Sequence, residues 1–169
     1  MLAASGKLAL VYAEKLLVGV KPEHFARLAA VLGVPVRSNH PAFIFGHLCL
    51  YPQRVLHVLG RPVGETTAPP EYDGLFKAGA ECRDDPEARM YPPMDELTTR
   101  FFSGYRTAIA AAESAEDVLY TKPNPTEGRS RDLFPTIGAA VGFYLGGHVQ
   151  NHLGQFSAWR RMIGLGPAA

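Results

Sequence analysis

The chain has 169 residues, 47% hydrophobic and 20% charged, a balance that fits a soluble globular protein with one domain spanning 1–169. Seventeen Lys and Arg against 16 Asp and Glu leave a net charge of +1, which offers no field for nucleic acid or anionic lipid. Two cysteines, Cys49 and Cys82, could form one disulfide but make no secreted disulfide framework. Lys7, Glu14 and Lys15 interrupt any signal-peptide core. The apolar run 133–147 falls short of the ~20 residues of a bilayer span, so a cytoplasmic protein without a membrane partner is expected.

Leu8, Val11, Tyr12 and Leu16 recur at helical spacing, with Leu10 and Leu17 widening the stripe, and predict a first helix over 2–18. Pro22 suits the first turn of a short second piece that Gly33 and Pro35 end. His24, beside Glu23 and Arg27, reads as surface. Ser38-Asn39-His40-Pro41 is a start signal, and the next helix should run to about 59 and stop at Gly60-Arg61-Pro62. His47 shares its face with Phe43, Ile44, Leu50, Tyr51, Val58 and Arg54. His57 and Cys49 turn away from that face, so a Cys/His nucleophilic pair is disfavoured. His40 reads as a helix-start residue.

Residues 64–93 are rich in Pro, Gly and charge and form a long connection, pinned to the core by Leu75 and Phe76. Cys82 lies there among Glu81, Asp84 and Asp85, which should raise its thiol pKa. Pro93-Met94-Asp95-Glu96-Leu97 opens a third long helix whose stripe is Met94, Leu97, Phe101, Tyr105, Ala108 and Ala112. A second linker covers 114–131, where the prolines around Asn124 forbid a helix. Asp132 should then cap the last and longest helix, to about 163, ended by Gly164, Gly166 and Pro167. No strand signal is evident. Four amphipathic helices with two long linkers predict an all-α fold, an up-down four-helix bundle with long crossover linkers.

The chemistry is concentrated near the C-terminus, in Gly147-His148-Val149-Gln150-Asn151-His152-Leu153-Gly154-Gln155-Phe156. His148 and His152 are one helical turn apart on a face that also carries Phe134, Ile137, Val141, Tyr144, Trp159 and Met162. Buried imidazoles cost free energy unless their nitrogens find partners. Taken with His47 on a facing helix, they form a candidate three-nitrogen facial set. Such a set leaves coordination positions for water or substrate and suits Zn, Ni, Co or Fe. The competing reading is core histidines hydrogen-bonded to Tyr51, Asn151, Gln155 or buried water. Gln155 and Asn151 could orient a ligand or simply cap the core. Arg54 could bind an anionic substrate or snorkel to the bundle end, and Tyr51 could line the site or pack. Arg160 and Arg161 suit the negative end of the last helix.

Ser38-Asn39-His40-Pro41-Ala42-Phe43-Ile44-Phe45-Gly46-His47-Leu48 resembles the second-helix signature of the DinB/YfiT-like superfamily of metalloenzyme-like proteins. Phe76-Lys77-Ala78-Gly79-Ala80 and Tyr91-Pro92-Pro93-Met94-Asp95-Glu96-Leu97 resemble its crossover and third-helix start. The stretch from His148 to Gln155, with Trp159-Arg160-Arg161 and Gly164-Leu165-Gly166-Pro167, is similar to its last helix and tail. Phe43 departs from the family, where Trp is common, which bears on packing. The resemblance implies a metal held by His47, His148 and His152 at one end of the bundle, and frequently a homodimer. Gly138, Gly142, Gly146 and Gly147 would permit close helix approach, within the chain or between copies. Characterised relatives include S-transferases and isomerases that use low-molecular-weight thiols; others are stress-associated proteins. A thiol-dependent transferase or related hydrolase-type enzyme acting on a small molecule is therefore implied, with Arg54, Tyr51 and Gln155 as candidate cofactor-binding residues. A non-catalytic stress-response or ligand-binding module is the alternative. No catalytic residue is evident from the sequence.

Overall fold

Gly6, Ala9 and Ala13 face inward on the first helix, α1 (Leu2–Leu17), with Leu10 and Leu16. This corrects part of the expected stripe: Leu10 and Leu16 are buried as expected, but Leu8 is 64% and Val11 is 50% exposed. Small residues let neighbouring helices approach α1 closely, and counting large apolar side chains overlooks them. The computed structural model describes residues 2–168. Gly19, at φ 79°, stops α1, and α2 (Pro22–Phe25) follows.

A two-stranded antiparallel hairpin comes next, β1 (Ala30–Val31) and β2 (Val34–Pro35), with Val31 opposite Val34. It was not foreseen. Leu32 and Gly33 both take positive φ, 51° and 79°, the geometry of a tight hairpin turn, although no Asn-Gly announces it. The hairpin is exposed and adds no sheet to the core.

The helix expected over 41–59 is two helices, α3 (Pro41–Cys49) and α4 (Pro52–Val58). Pro52 has no N–H to continue the ladder, so Leu50 and Tyr51 donate to His47 and Leu48 in tightened turns before α4 restarts. His40, rather than Ser38 or Asn39, caps α3: its Nδ1 accepts from the Phe43 amide at 3.1 Å. Its Nε2–H donates to the Arg83 carbonyl at 2.9 Å, so this fully buried imidazole is satisfied at both nitrogens.

The first crossover holds a 3₁₀ turn (Gly64–Thr66) and α5 (Pro70–Phe76), which packs on α3 and inserts Phe76, fully buried. Next, α6 (Met94–Glu113) buries Leu97, Phe101, Tyr105, Ala108 and Ala112 as its pattern requires; Met94 is only partly covered.

The second crossover contains α7 (Asp117–Tyr120) and α8 (Arg129–Leu133). Between them the fully buried Asn124 accepts from the Thr126 amide and hydroxyl and donates to the Phe134 carbonyl. Asp132 lies inside α8 and does not cap the last helix. Pro135 breaks the chain there, and Thr136 caps α9 (Ile137–Gly142) by accepting from the Ala139 amide at 3.2 Å. A π-helical turn (Phe143–Gly147) joins α9 to α10 (His148–Met162). Gly138 and Gly142 are used within the chain, where an added Cβ would meet the Tyr120 carbonyl and Leu2.

α6 packs between α1 and the α3–α4 pair, and α10 packs against α1 and α3. The shared core is aromatic: Phe45 meets Phe101 at 4.9 Å and Phe156 at 5.7 Å, both edge-on. Arg160 is buried and donates to the Leu16 and Val18 carbonyls at the end of α1 and to the Leu165 and Gly166 carbonyls just beyond α10, so it serves its own helix end and ties it to that of α1. Among the described residues, no helix is long and apolar enough to cross a membrane.

Candidate metal centre

Every residue of α3 is buried, so His47 enters the core whichever way it points. Its ring is fixed from two sides. Nδ1–H donates to the Phe76 carbonyl at 2.6 Å, and Phe43 stacks nearly parallel to it (4° between planes, centroids 6.4 Å apart). A carbonyl oxygen only accepts, so Nδ1 carries the proton and Nε2 keeps its lone pair. Gly46 is what lets Phe76 reach this position, because a Cβ there would fall within 3.0 Å of three Phe76 ring atoms.

His148 is the first residue after the π-helical turn, and His152 follows one turn later. The three rings converge, with centroids 4.6 to 5.2 Å apart. His47 Nε2 and His148 Nε2 are 3.2 Å apart, and one ring nitrogen from each of the three histidines lies within 4.8 Å of the others. His152 Nδ1–H donates to Gln155 Oε1 at 3.1 Å, and the same oxygen accepts from Asn39 Nδ2 at 3.0 Å. His152 therefore also turns an unprotonated Nε2 away from its partner. His148 differs: its Nδ1 is buried without a partner among the described residues.

Burial sets the charge state. It pushes His47 down to about 4 and His148 down to about 3, and it also lowers His152. The Phe76 carbonyl acts against the shift on His47, and the His152 imidazole and Arg54 act with it. Near neutral pH the three rings are uncharged, as metal ligation demands.

A divalent ion fits this donor set. Zinc–imidazole distances of about 2.0–2.1 Å in a tetrahedral site separate ligand nitrogens by ~3.3 Å. The His47–His148 separation is already 3.2 Å. Two of the three rings carry the outer hydrogen bond that orients a metal ligand, and His148 alone lacks one. Among the described residues no cysteine or carboxylate joins the cluster, so the protein offers three ligands and not four.

Tyr51 is buried with its ring centroid 4.0 Å from that of His148 and 5.0 Å from that of His47, so it packs and borders the site at once. Arg54 sits over the Tyr51 ring at 4.7 Å and lines a cavity of about 410 Å³ with Tyr144. Gln155 holds His152, while Asn151 is exposed. His24 and His57 are exposed, and His40 is spent on its cap. Cys49 is buried and pushed up to about 12. Cys82 is pushed up to about 11, chiefly by burial, with Asp84 and Glu81 adding to it. The Phe76 carbonyl and Asn39 were not foreseen as supports. A backbone oxygen carries no sequence signal, and Asn39 reads equally well as a cap.

No family model matches the chain, and neither curated proteins nor solved structures give a match to it.

Proposed function

We propose that the chain is a cytoplasmic metal-dependent enzyme of the DinB/YfiT type, an up-down four-helix bundle acting on a small molecule through His47, His148 and His152. The observation that carries this reading is the convergence of three neutral ring nitrogens within 4.8 Å, with Nδ1–H of His47 and of His152 each held by a carbonyl oxygen. The packing of α1, α6, α3–α4 and α10 against one another supports the bundle.

Thiol-dependent S-transfer is the chemistry this arrangement suits. A Zn, Ni, Co or Fe ion held by three uncharged nitrogens supplies, when bound, a Lewis acid that favours the thiolate form of a low-molecular-weight thiol. The chain's residues do the rest. Phe76 and Gln155 fix two imidazoles, the aromatic wall of Phe43, Tyr51 and Tyr144 excludes water, and burial keeps the rings unprotonated. A protein nucleophile is unnecessary, in keeping with two cysteines whose thiols are both pushed up.

One observation favours the second reading, a non-catalytic stress-response or ligand-binding module. His47 and His148 lie at hydrogen-bond distance through their Nε2 atoms, so one shared proton satisfies those two nitrogens without an ion, while His148 Nδ1 stays without a partner among the described residues. Titration of tag-free, chelator-treated protein with Zn²⁺ separates the two. The enzyme reading expects one equivalent bound by the parent and none by His148→Ala, with His24→Ala unchanged. It further expects a thiolate-to-metal absorption band when Co²⁺-loaded protein meets a small thiol. Equal binding by the parent and His148→Ala rejects the site; metal uptake without the thiolate band leaves the structural reading. Homodimer formation is part of the proposal, and sedimentation of only monomer at micromolar concentration would remove it.

A further inference from the structure

A cavity of about 410 Å³ opens between α4 and the second crossover. That volume is in the range of small-molecule sites. Its lining is divided. Val58, Val63 and Tyr144 give an apolar wall, Arg54 gives a full positive charge, His57 and Gln53 give an imidazole and an amide, and Thr126 and Ser130 give hydroxyls. No Asp or Glu lines it. Among the described residues Arg54 has no carboxylate partner, since the ion pairs present join other groups.

Arg54 is also held in place. Its side chain is exposed, but its guanidinium lies over the Tyr51 ring at 4.7 Å, which keeps a planar donor fork beside the cavity. The opposite wall is equally fixed. Asn124 Oδ1 accepts the Thr126 hydroxyl at 2.9 Å, which leaves the Thr126 oxygen free to accept, and Arg131 Nε holds the Thr126 carbonyl at 2.7 Å. One permanent cation with no carboxylate to neutralise it, set beside an apolar wall, selects a monoanion with an apolar body. The planar fork selects a carboxylate in particular.

The cavity and the histidines share a wall. Tyr51 carries Arg54 on its ring and lies 4.0 Å from the His148 ring, while Tyr144 lines the cavity and meets both Tyr51 and His148. We propose that this cavity binds a small monocarboxylate with an apolar body, its carboxylate on Arg54 and its body against Val58, Val63 and Tyr144, and that this is the substrate pocket of the three-histidine site. Only the last clause rests on the metal reading; the binding itself does not.

The test is a titration of metal-free protein with benzoate, followed by the methyl NMR signals of Val58 and Val63. Saturable shifts are expected at millimolar benzoate. Benzyl alcohol, of the same shape without the charge, and Arg54→Gln should each weaken binding by about tenfold or more. Val63→Trp, which fills the pocket from its partly exposed rim, should abolish it. N-acetylcysteine distinguishes the carboxylate of a thiol from that of a substrate, and it should bind more weakly than benzoate. Equal binding of benzoate and benzyl alcohol, an unaffected Arg54→Gln, or tighter binding of N-acetylcysteine would each overturn the proposal. Benzoate binding in a protein that takes up no zinc sinks the metal reading alone, and zinc uptake without benzoate binding sinks this one alone.

Discussion

Replacing Gly46 by alanine pits two opposed effects against each other, and the structure decides between them. In a helix interior, Gly→Ala ordinarily stabilises by about 1 kcal/mol. At Gly46 the new Cβ would fall within 3.0 Å of three atoms of the Phe76 ring. That ring is fully buried and confined by Phe43, Tyr72 and Tyr91 at centroid distances of 5.1 to 6.0 Å, so it cannot slide aside. Expelling a buried Phe costs about 3–5 kcal/mol, and the net loss is then about 2–4 kcal/mol. The damage should reach the site, because the Phe76 carbonyl holds His47 Nδ1–H. Losing such an outer support lowers metal affinity about 10–100-fold. Urea unfolding with chelator present measures the first effect and zinc calorimetry the second. Gly154→Ala is the matched control: it lies in α10 with nothing within 4 Å of its added Cβ, and it should gain stability, by up to about 1 kcal/mol. If Gly46→Ala is as stable as the parent and binds zinc equally well, the coupling of Phe76 to His47 is refuted.

Three more outcomes follow from the geometry. The pKa values of His47 and His148, lowered from 6.5 to about 4 and about 3, mean that the unfolded chain takes up protons the folded chain refuses. Metal-free stability should therefore be level above pH 6.5 and fall as the pH drops toward 4, by about 3 kcal/mol for His47 alone. His47→Gln with His148→Gln should flatten that acid limb, and an unchanged slope in urea unfolding between pH 7 and 4 would contradict the assignment. Gln155→Leu removes the acceptor for His152 and Asn39 and should weaken zinc binding by about 10–100-fold with little change in stability, while Gln155→Glu retains most of the affinity. Calorimetry showing the two variants equal would exclude an orienting role. Asn124→Ala removes three hydrogen bonds within the second crossover and should cost about 2–3 kcal/mol in urea unfolding; a loss below about 0.5 kcal/mol would show that the crossover is held otherwise.

The three histidines could be found in the sequence because each interrupts an apolar face, and that anomaly survives small errors of helix phase. The span of α6 was equally readable, since Pro93 marks its start and its large apolar residues are the ones that face inward. α1 was read only in part: Leu10 and Leu16 face inward as expected, but the rest of its buried side is built from Gly6, Ala9 and Ala13, while Leu8 and Val11 point outward. The breaks at Pro52 and Pro135 were available in principle. Strong apolar periodicity on both sides of each proline outweighed them in the reading. The hairpin depends on Leu32 taking a positive φ, which its residue type disfavours. The support from Phe76 was beyond reach for a different reason: only the folded crossover brings that carbonyl, 29 positions downstream, to the ring of His47.

The π-helical turn at Phe143–Gly147 gives the last helix the character of an insertion. A wide turn accommodates one residue more than an α-helix needs, so the segments on either side are rotated by about 100° from the register of an unbroken helix. Upstream, that register commits Ile137, Ala140 and Val141 to the core; downstream, it commits His148 to the centre. Deleting Gly146 would let the turn relax to α geometry, and the two commitments could then no longer be met together. The chain would have to choose between its packing and its histidines. A glycine that touches no ligand thus acts as a frame marker for the site, and single-residue length changes in this stretch should be far less tolerated than substitutions within it.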